Sequence, residues 1–193
     1  MRNVIFAINV TLDGCCDHTK FNPDEETFEY FIHLLRDEAD LLVYGRKTYQ
    51  LMVPYWPDVA KNPSGQTKAD IEFAQAFDAI NKIIVFSRSL DSPGPEDGKT
   101  RIVRTNLRDE IIKLKQEQGK NILTGGVTIP LQLVELGLID EYRFVVHPIV
   151  LGEGRRLFEG VSLPEKLRLK LVESQALKSG CVALRYSNTR GAF

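Results

Sequence analysis

Short apolar runs alternate with amphipathic stretches over the first two thirds of this chain. Residues 4–10 suit a buried strand, and from Asp24 onward apolar residues fall at the spacing of one helical face. The same alternation predicts strands at 41–44, 82–86, 101–104 and 121–123, and helices that begin at Arg46 and cover 68–77, 107–118 and about 129–136. This order is typical of an α/β fold in which helices flank a mixed, mostly parallel central sheet.

The pattern changes after Gly137, which is expected to end the last of these helices. Three runs at 141–151, 166–173 and 180–186 have the composition of strands, with no long helical segment between them. A β-rich C-terminal tail is therefore expected. Residues 53–65 form a Pro-rich stretch, and 91–99 are predicted to be a surface loop. No shift in composition marks a linker, so residues 1–193 are predicted to form one domain.

Composition and charge exclude several classes of protein. The chain is 43% hydrophobic, and 25 basic residues against 26 acidic ones give a net charge of -1, which argues against disorder and against a nucleic-acid partner. The apolar N-terminal run is too short for a membrane span or a signal peptide. Three cysteines without CxxC spacing predict no metal site and a protein of the reducing cytoplasm.

A glycine pair, Gly125-Gly126, stands between the strand predicted at 121–123 and the helix that follows it. Backbone amides at a glycine-rich turn that enters a helix bind phosphate well, because they have no partner inside the helix. The alternative is a tight turn that needs glycine only for a positive φ, and an isolated pair favours that alternative. The chain has no GxxxxGK[ST] and no complete GxGxxG, which excludes the P-loop and the standard Rossmann turn.

Two other strand ends carry groups suited to phosphate. Gly45-Arg46-Lys47-Thr48 combines two cations and a hydroxyl with a helix start, although a solvated helix start explains it as well. Ser87-Arg88 closes another strand and fits the extra 2′-phosphate of NADP. If the strands are parallel, these ends and the glycine pair meet at one edge of the sheet, as ligand sites in open α/β sheets do.

Six motifs occur in a characteristic order and spacing: Thr11-Leu12-Asp13-Gly14, Gly45-Arg46-Lys47-Thr48-Tyr49, Phe86-Ser87-Arg88, Thr124-Gly125-Gly126, Leu138-Ile139-Asp140-Glu141 and His147-Pro148-Ile149-Val150-Leu151-Gly152-Glu153-Gly154. Together they resemble the dihydrofolate reductase superfamily. The closest resemblance is to the branch shared with the reductase domain of the bifunctional riboflavin-biosynthesis deaminase-reductase, and it spans almost the whole chain. It implies a dihydrofolate-reductase-like three-layer fold.

The resemblance also implies an NADPH-dependent oxidoreductase that transfers hydride to a C=N or C=O carbon. Its substrate would be a small heterocycle or a ribosylaminopyrimidine, as for a 5-amino-6-(5-phosphoribosylamino)uracil reductase or a dihydrofolate reductase. By position in the motifs, the cofactor-binding residues would be Ala7, Ile8, Gly45, Arg46, Lys47, Thr48, Ser87, Arg88, Thr124, Gly125, Gly126, Val127 and Thr128.

Reduction of such a bond needs a proton for the heteroatom, and the resemblance assigns this role to Asp13. The alternative for Asp13 is an acceptor that holds its own loop together, as in an Asx-turn. Trp56 is a candidate substrate contact through ring stacking, against the alternative of local packing. The rival to an enzyme is a noncatalytic nucleotide- or antifolate-binding protein with the same fold. A homodimer is expected, as is common in this branch.

Overall fold

The computed structural model describes residues 1–90, 98–163 and 165–189. One eight-stranded sheet, in the order β4-β3-β2-β5-β1-β6-β8-β7, runs through it. All neighbours from β4 to β6 are parallel, whereas β8 is antiparallel to both β6 and β7. The strands are β1 Val4–Thr11, β2 Ala39–Gly45, β3 Lys82–Phe86, β4 Thr100–Val103, β5 Asn121–Thr124, β6 Glu141–His147, β7 Leu169–Ala176 and β8 Val182–Asn188.

Helices connect the parallel strands. They are α1 Glu25–His33 with a π-helical extension over Leu34–Glu38, α2 Arg46–Met52, α3 Tyr55–Lys61, α4 Lys68–Asp78, α5 Leu107–Gln116 and α6 Thr128–Glu135. Side chains cap three of the helix starts, and Asn106 does so for α5. Asp24 accepts a hydrogen bond from the Thr27 amide (2.8 Å) before α1, and Thr67 and Asp70 form a capping box at α4.

The core lies on both faces of the sheet because successive side chains of a strand point to opposite faces. On β1, Val4 and Phe6 belong to the cluster that includes side chains of α5 and α6. Ile5 and Ala7 belong to the other cluster, with side chains of α1 and α4. All four are buried, so β1 is covered by helices on both sides, as a central parallel strand must be.

The predicted α/β class, the mostly parallel sheet and the β-rich tail are confirmed. The Pro-rich stretch at 53–65 is not irregular throughout, since it contains α3. Pro57 stands in the first turn of that helix, where the missing amide hydrogen breaks no intrahelical bond. The prediction that a strand continues to Leu151 is wrong, because β6 ends at His147 and is followed by Pro148. Most of the loop predicted at 91–99 lies outside the described residues.

None of the described helices combines the length and apolar character that crossing a bilayer requires. All three cysteines are described and carry free thiols, and Cys15 and Cys181 are buried.

Candidate functional site

The carboxyl ends of β2, β3 and β5 meet at one edge of the sheet, as their predicted parallel arrangement requires. A cavity of about 1030 Å³ opens there. Gly45, Ser87 and the pair Gly125-Gly126 all line it, and so do Ala7 and Ile8 of β1. The structure thus brings together side chains and turns that lie far apart in the sequence, at the place where open α/β sheets bind ligands.

The turn from β5 into α6 forms one wall of the cavity. Gly126 has φ +76°, and a Cβ at this position would overlap the Thr48 hydroxyl. A Cβ on Gly125 would lie 3.4 Å from the Ala7 carbonyl oxygen, and one on Gly45 would lie 3.1 Å from Cγ1 of Ile129. The glycines therefore serve two purposes. They satisfy the turn conformation, and they let the N-termini of α2 and α6 approach each other beside the cavity.

Polar and basic groups cluster at the starts of α2 and α6 and after β3. Arg46, Lys47, Thr48, Ser87 and Thr128 line the cavity, whereas Arg88 is exposed and is not among the lining residues. Arg155 approaches from the loop after β6. Among the described residues that line the cavity, every fully charged side chain is basic and none is Asp or Glu. The site therefore suits an anionic ligand.

Aromatic side chains line another part of the cavity. Phe28 and Phe31 come from α1, Trp56 from α3 and Phe73 from α4. The ring centroids of Trp56 and Phe73 are 4.5 Å apart, and those of Phe28 and Phe73 are 5.5 Å apart. Trp56 thus packs locally and faces the cavity at the same time, so both interpretations of this residue describe part of its environment. The sequence analysis did not identify Phe28, Phe31 or Phe73 as site residues.

Asp13 lies outside this cavity lining and is fully engaged by its own loops. Its carboxylate accepts hydrogen bonds from the Thr11 hydroxyl (2.6 Å) and the Gly152 amide (2.9 Å), and it ion-pairs with Arg156 (2.6 Å). The Thr11 hydroxyl, followed by the Arg156 guanidinium, holds the pKa of Asp13 well below its usual range. A carboxyl group with such a low pKa is ionised near neutral pH and therefore has no proton to donate. The geometry favours the alternative, an acceptor that joins the loops after β1 and β6.

Tyr44 is a fourth residue of the site that was not predicted from the sequence. It is the penultimate residue of β2, is 6% exposed and lines the cavity. Its ring lies beside the glycine turn, with Cε1 3.8 Å from the position of a Cβ on Gly125. Burial raises the pKa of the phenol, which therefore stays neutral. Its hydroxyl has no hydrogen-bond partner within the described ranges. The sequence signal was a polar aromatic residue at the carboxyl end of a parallel strand.

Known proteins are similar to this chain in sequence or in fold. The chain is 31% identical over 193 residues to the uncharacterized protein YyaP of Bacillus subtilis, covering 96% of this chain and 94% of YyaP. It is 30% identical over 136 residues to YwjB of the same organism, covering 68% of this chain and 66% of YwjB.

Among solved structures, a putative riboflavin biosynthesis protein from Shewanella sp. PV-4 superposes with a TM-score of 0.70 at 24% identity, over 98% of this chain and all of that one. A pyrimidine reductase-like protein from Corynebacterium diphtheriae gives 0.68 at 17% identity, over 98% and 92% of the two chains. These similarities support the dihydrofolate-reductase-like fold.

The model of the RibD C-terminal domain matches residues 2–183, which is nearly the entire length. Acinetobacter baumannii RibD itself superposes with a TM-score of 0.64 at 19% identity, and the alignment covers 98% of this chain and 58% of that one. The chain belongs to the RibD C-terminal domain family.

Proposed function

We propose that this protein is an NADPH-dependent reductase of a small planar heterocycle, with a ribosylaminopyrimidine-like ring as the preferred substrate class. One observation carries the proposal. The cavity joins a glycine turn, and cations that form no ion pair with the described carboxylates, to a set of aromatic rings. Such a cavity can hold the phosphates of a dinucleotide beside a flat reacting ring. Membership of the RibD C-terminal family and the likeness to a pyrimidine reductase-like protein support the same class.

The lining residues fit the cofactor. Arg46 and Lys47 supply positive charge, Thr48 and Ser87 supply hydroxyls, and the turn that contains Gly126 exposes backbone amides at the start of α6. A side chain at position 126 would overlap Thr48, so this position can offer a ligand only its backbone. When bound, NADPH supplies the hydride. The proposed 2′-phosphate role of Arg88 stays a prediction, since Arg88 is not among the residues that line the cavity.

The remaining tasks fall to side chains of this chain. Phe28, Phe31, Trp56 and Phe73 exclude water and hold a planar ring by stacking and edge contacts. Tyr44, neutral and without a partner among the described residues, keeps its proton on Oη at the cavity wall. There it can donate a hydrogen bond to the heteroatom that is protonated during reduction. We assign this hydrogen bond to Tyr44. Because burial disfavours loss of the Tyr44 proton and Asp13 is ionised, the proton that the heteroatom gains would come from solvent.

Thermal melts with NADPH and an absorbance assay for NADPH oxidation test this proposal. NADPH at about 100 times its Kd should stabilise the protein by about 2.7 kcal/mol. NADPH should be oxidised when 5-amino-6-(5-phosphoribosylamino)uracil or dihydrofolate is added, and Tyr44→Phe should lower turnover without lowering NADPH affinity. The absence of any thermal shift with NADPH would overturn the proposal.

The described lining residues include no carboxylate, and this observation favours one rival, a noncatalytic nucleotide- or antifolate-binding protein. Measurements of NADPH binding and of NADPH oxidation distinguish the two functions. A binding protein would be stabilised by NADPH but would oxidise it with neither substrate, and Tyr44→Phe and wild type would behave alike.

We also propose that two copies of the chain associate through β7. This strand ends the sheet, and it is exposed on both faces from Lys170 to Ala176. Leu171 and Val172 are 49% and 48% exposed, which is unusual for two adjacent apolar residues of an edge strand. Sedimentation should give a dimer for the wild type and a monomer for Leu171→Lys. A monomeric wild type would exclude the association.

A further inference from the structure

Three side chains, those of Cys181, His147 and Asn9, lie within hydrogen-bond distance of one another in a row that ends at the cavity. Asn9 lines the cavity, and its Oδ1 lies 3.1 Å from Nε2 of His147. On the far side of the ring, Nδ1 of His147 lies 3.4 Å from Sγ of Cys181. His147 is 3% exposed and Cys181 is 2% exposed, so water has little access to either group. Groups in the interior of the protein therefore set the orientation of the Asn9 amide.

The direction of these hydrogen bonds follows from the protonation of His147. Burial lowers the pKa of His147, against the smaller opposing effect of the Asp24 charge, so the ring is neutral at neutral pH and carries a single N–H. The amide oxygen of Asn9 can only accept, so the hydrogen is on Nε2. In this arrangement the lone pair of Nδ1 accepts the hydrogen of the Cys181 thiol, for which Oδ2 of Asp24 is the other possible acceptor. Phe21 packs on the imidazole, with ring centroids 4.8 Å apart.

One competing arrangement satisfies the same groups. Oδ2 of Asp24 lies 3.5 Å from the Cys181 sulfur and can accept the thiol hydrogen instead. His147 would then carry its hydrogen on Nδ1, and Asn9 would have to turn its amide over to donate to Nε2. The two arrangements present opposite groups to the cavity, the amide N–H in the first and the carbonyl oxygen in the second.

The position of Asn9 places it beside the reacting ring. Asn9 lies two residues after Ala7 on β1, so both side chains point to the same face of the sheet. Ala7 belongs to the core cluster on that face, together with side chains of α1 and α4, against which Phe28 and Trp56 also pack. A ring held among these aromatic side chains would therefore lie beside the Asn9 amide.

We infer that Asn9 determines substrate specificity by presenting its amide N–H₂ to the cavity, and that His147 and Cys181 are positioning residues that hold it in this orientation. The group selected is an oxo oxygen on a planar ring. This inference rests on the proposed function. A site built to donate discriminates strongly against a ring with an amino group in place of the oxo group, because the Asn9 amide would then face another donor and be left without a partner.

The tautomer of His147 can be measured without a substrate, by ¹⁵N NMR of the imidazole nitrogens. Wild type should show Nε2–H, and so should Cys181→Ser, which keeps a donor. Cys181→Ala removes the donor to Nδ1 and should give a mixture of tautomers. His33, on the surface with a 62% exposed side chain, is the internal control and should not change. A predominant Nδ1–H tautomer in wild type would overturn the inference.

Binding of two small probes to the NADPH-saturated protein tests the specificity directly. Wild type should bind 6-aminouracil, which has two oxo groups, more tightly than 2,4-diaminopyrimidine. Asn9→Leu should weaken 6-aminouracil binding by roughly tenfold without changing NADPH affinity, and Asn9→Asp should reverse the preference. Unchanged probe affinities in Asn9→Leu would contradict the inference. If NADPH itself fails to bind, the proposed function falls, while the tautomer measurement still decides how Asn9 is oriented.

Discussion

Basic side chains occupy two different environments in this protein. On β6, Arg143 is buried, with a side chain 4% exposed, and it ion-pairs with Glu38 (2.7 Å) and with Glu141. Arg185 binds the other oxygen of Glu141 (2.9 Å). At the cavity, by contrast, Arg46, Lys47 and Arg155 form no ion pair with any carboxylate in the described parts of the chain.

This difference separates charges that stabilise the fold from charges that remain available to a ligand. Removing one partner of a buried ion pair strongly destabilises the folded protein, because the other charge stays buried without compensation. A solvated cation without a partner contributes little to stability but can bind an anion directly.

Replacing Arg143 should have the largest effect on stability. Arg143→Met leaves Glu38 without its arginine and Glu141 with Arg185 alone, and it should lower the free energy of unfolding by about 3–5 kcal/mol. Urea unfolding measures this change. The control is Arg101→Met, which removes an ion pair in which the arginine side chain is 45% exposed and should cost less than about 1 kcal/mol. Similar losses for both variants would remove the distinction between the two environments.

Gly126 should be the most sensitive position for cofactor binding. Gly126→Ala combines φ +76° with overlap of the Thr48 side chain, so the cavity wall must move and NADPH affinity should fall by more than about tenfold. Gly160 has the same φ but no atom near the position of a Cβ, so Gly160→Ala isolates the backbone strain. Calorimetry should show unchanged NADPH binding for Gly160→Ala. Equal losses in both variants would contradict a specific role of the glycine turn.

The unpaired cations should affect ligand binding alone. Arg46→Gln and Lys47→Gln should each weaken NADPH binding by roughly tenfold, the effect of losing one charge-assisted contact, and should leave the urea midpoint unchanged. Lys178→Gln, at a side chain 96% exposed, is the charge-matched control and should change neither quantity. A drop in stability for Arg46→Gln would mean that this cation has a structural partner.

Asp13→Asn should change turnover least, because Asp13 joins loops and does not line the cavity. The pKa of Asp13 is lowered in the folded state, so its ionised form stabilises the protein above the unfolded-state pKa of about 3.9. This contribution is lost as the pH falls below that value toward the folded-state pKa. Asp13→Asn should therefore melt at a lower temperature than wild type at neutral pH, with the difference shrinking below about pH 4. A large loss of kcat with unchanged melting would restore Asp13 as the proton donor.

The cation-rich part of the site could be predicted because each of its motifs is local. Gly45 to Thr48, Ser87 and Gly125-Gly126 each follow directly on a strand whose apolar run is visible in the sequence. Parallel strands place these ends at one edge without any further information. Pattern and topology together therefore located this part of the cavity.

The aromatic part could not be predicted in this way. The spacing of Phe28 and Phe31 indicates the buried face of a helix, but whether a residue on that face meets the core or a cavity depends on how the helices pack. Asp13 shows the same limit. Its turn is visible in the sequence, but its partners Gly152 and Arg156 come from a distant loop that only the folded chain brings close.

Calorimetric titration with NADPH and with NADH tests the cofactor assignment most directly. Wild type should bind one NADPH per chain, at least roughly tenfold more tightly than NADH, because the extra phosphate meets cations that have no carboxylate partner among the described residues. The affinity should fall as salt is added. No binding heat with NADPH, or equal salt-independent binding of both nucleotides, would contradict the assignment of this cavity to NADPH.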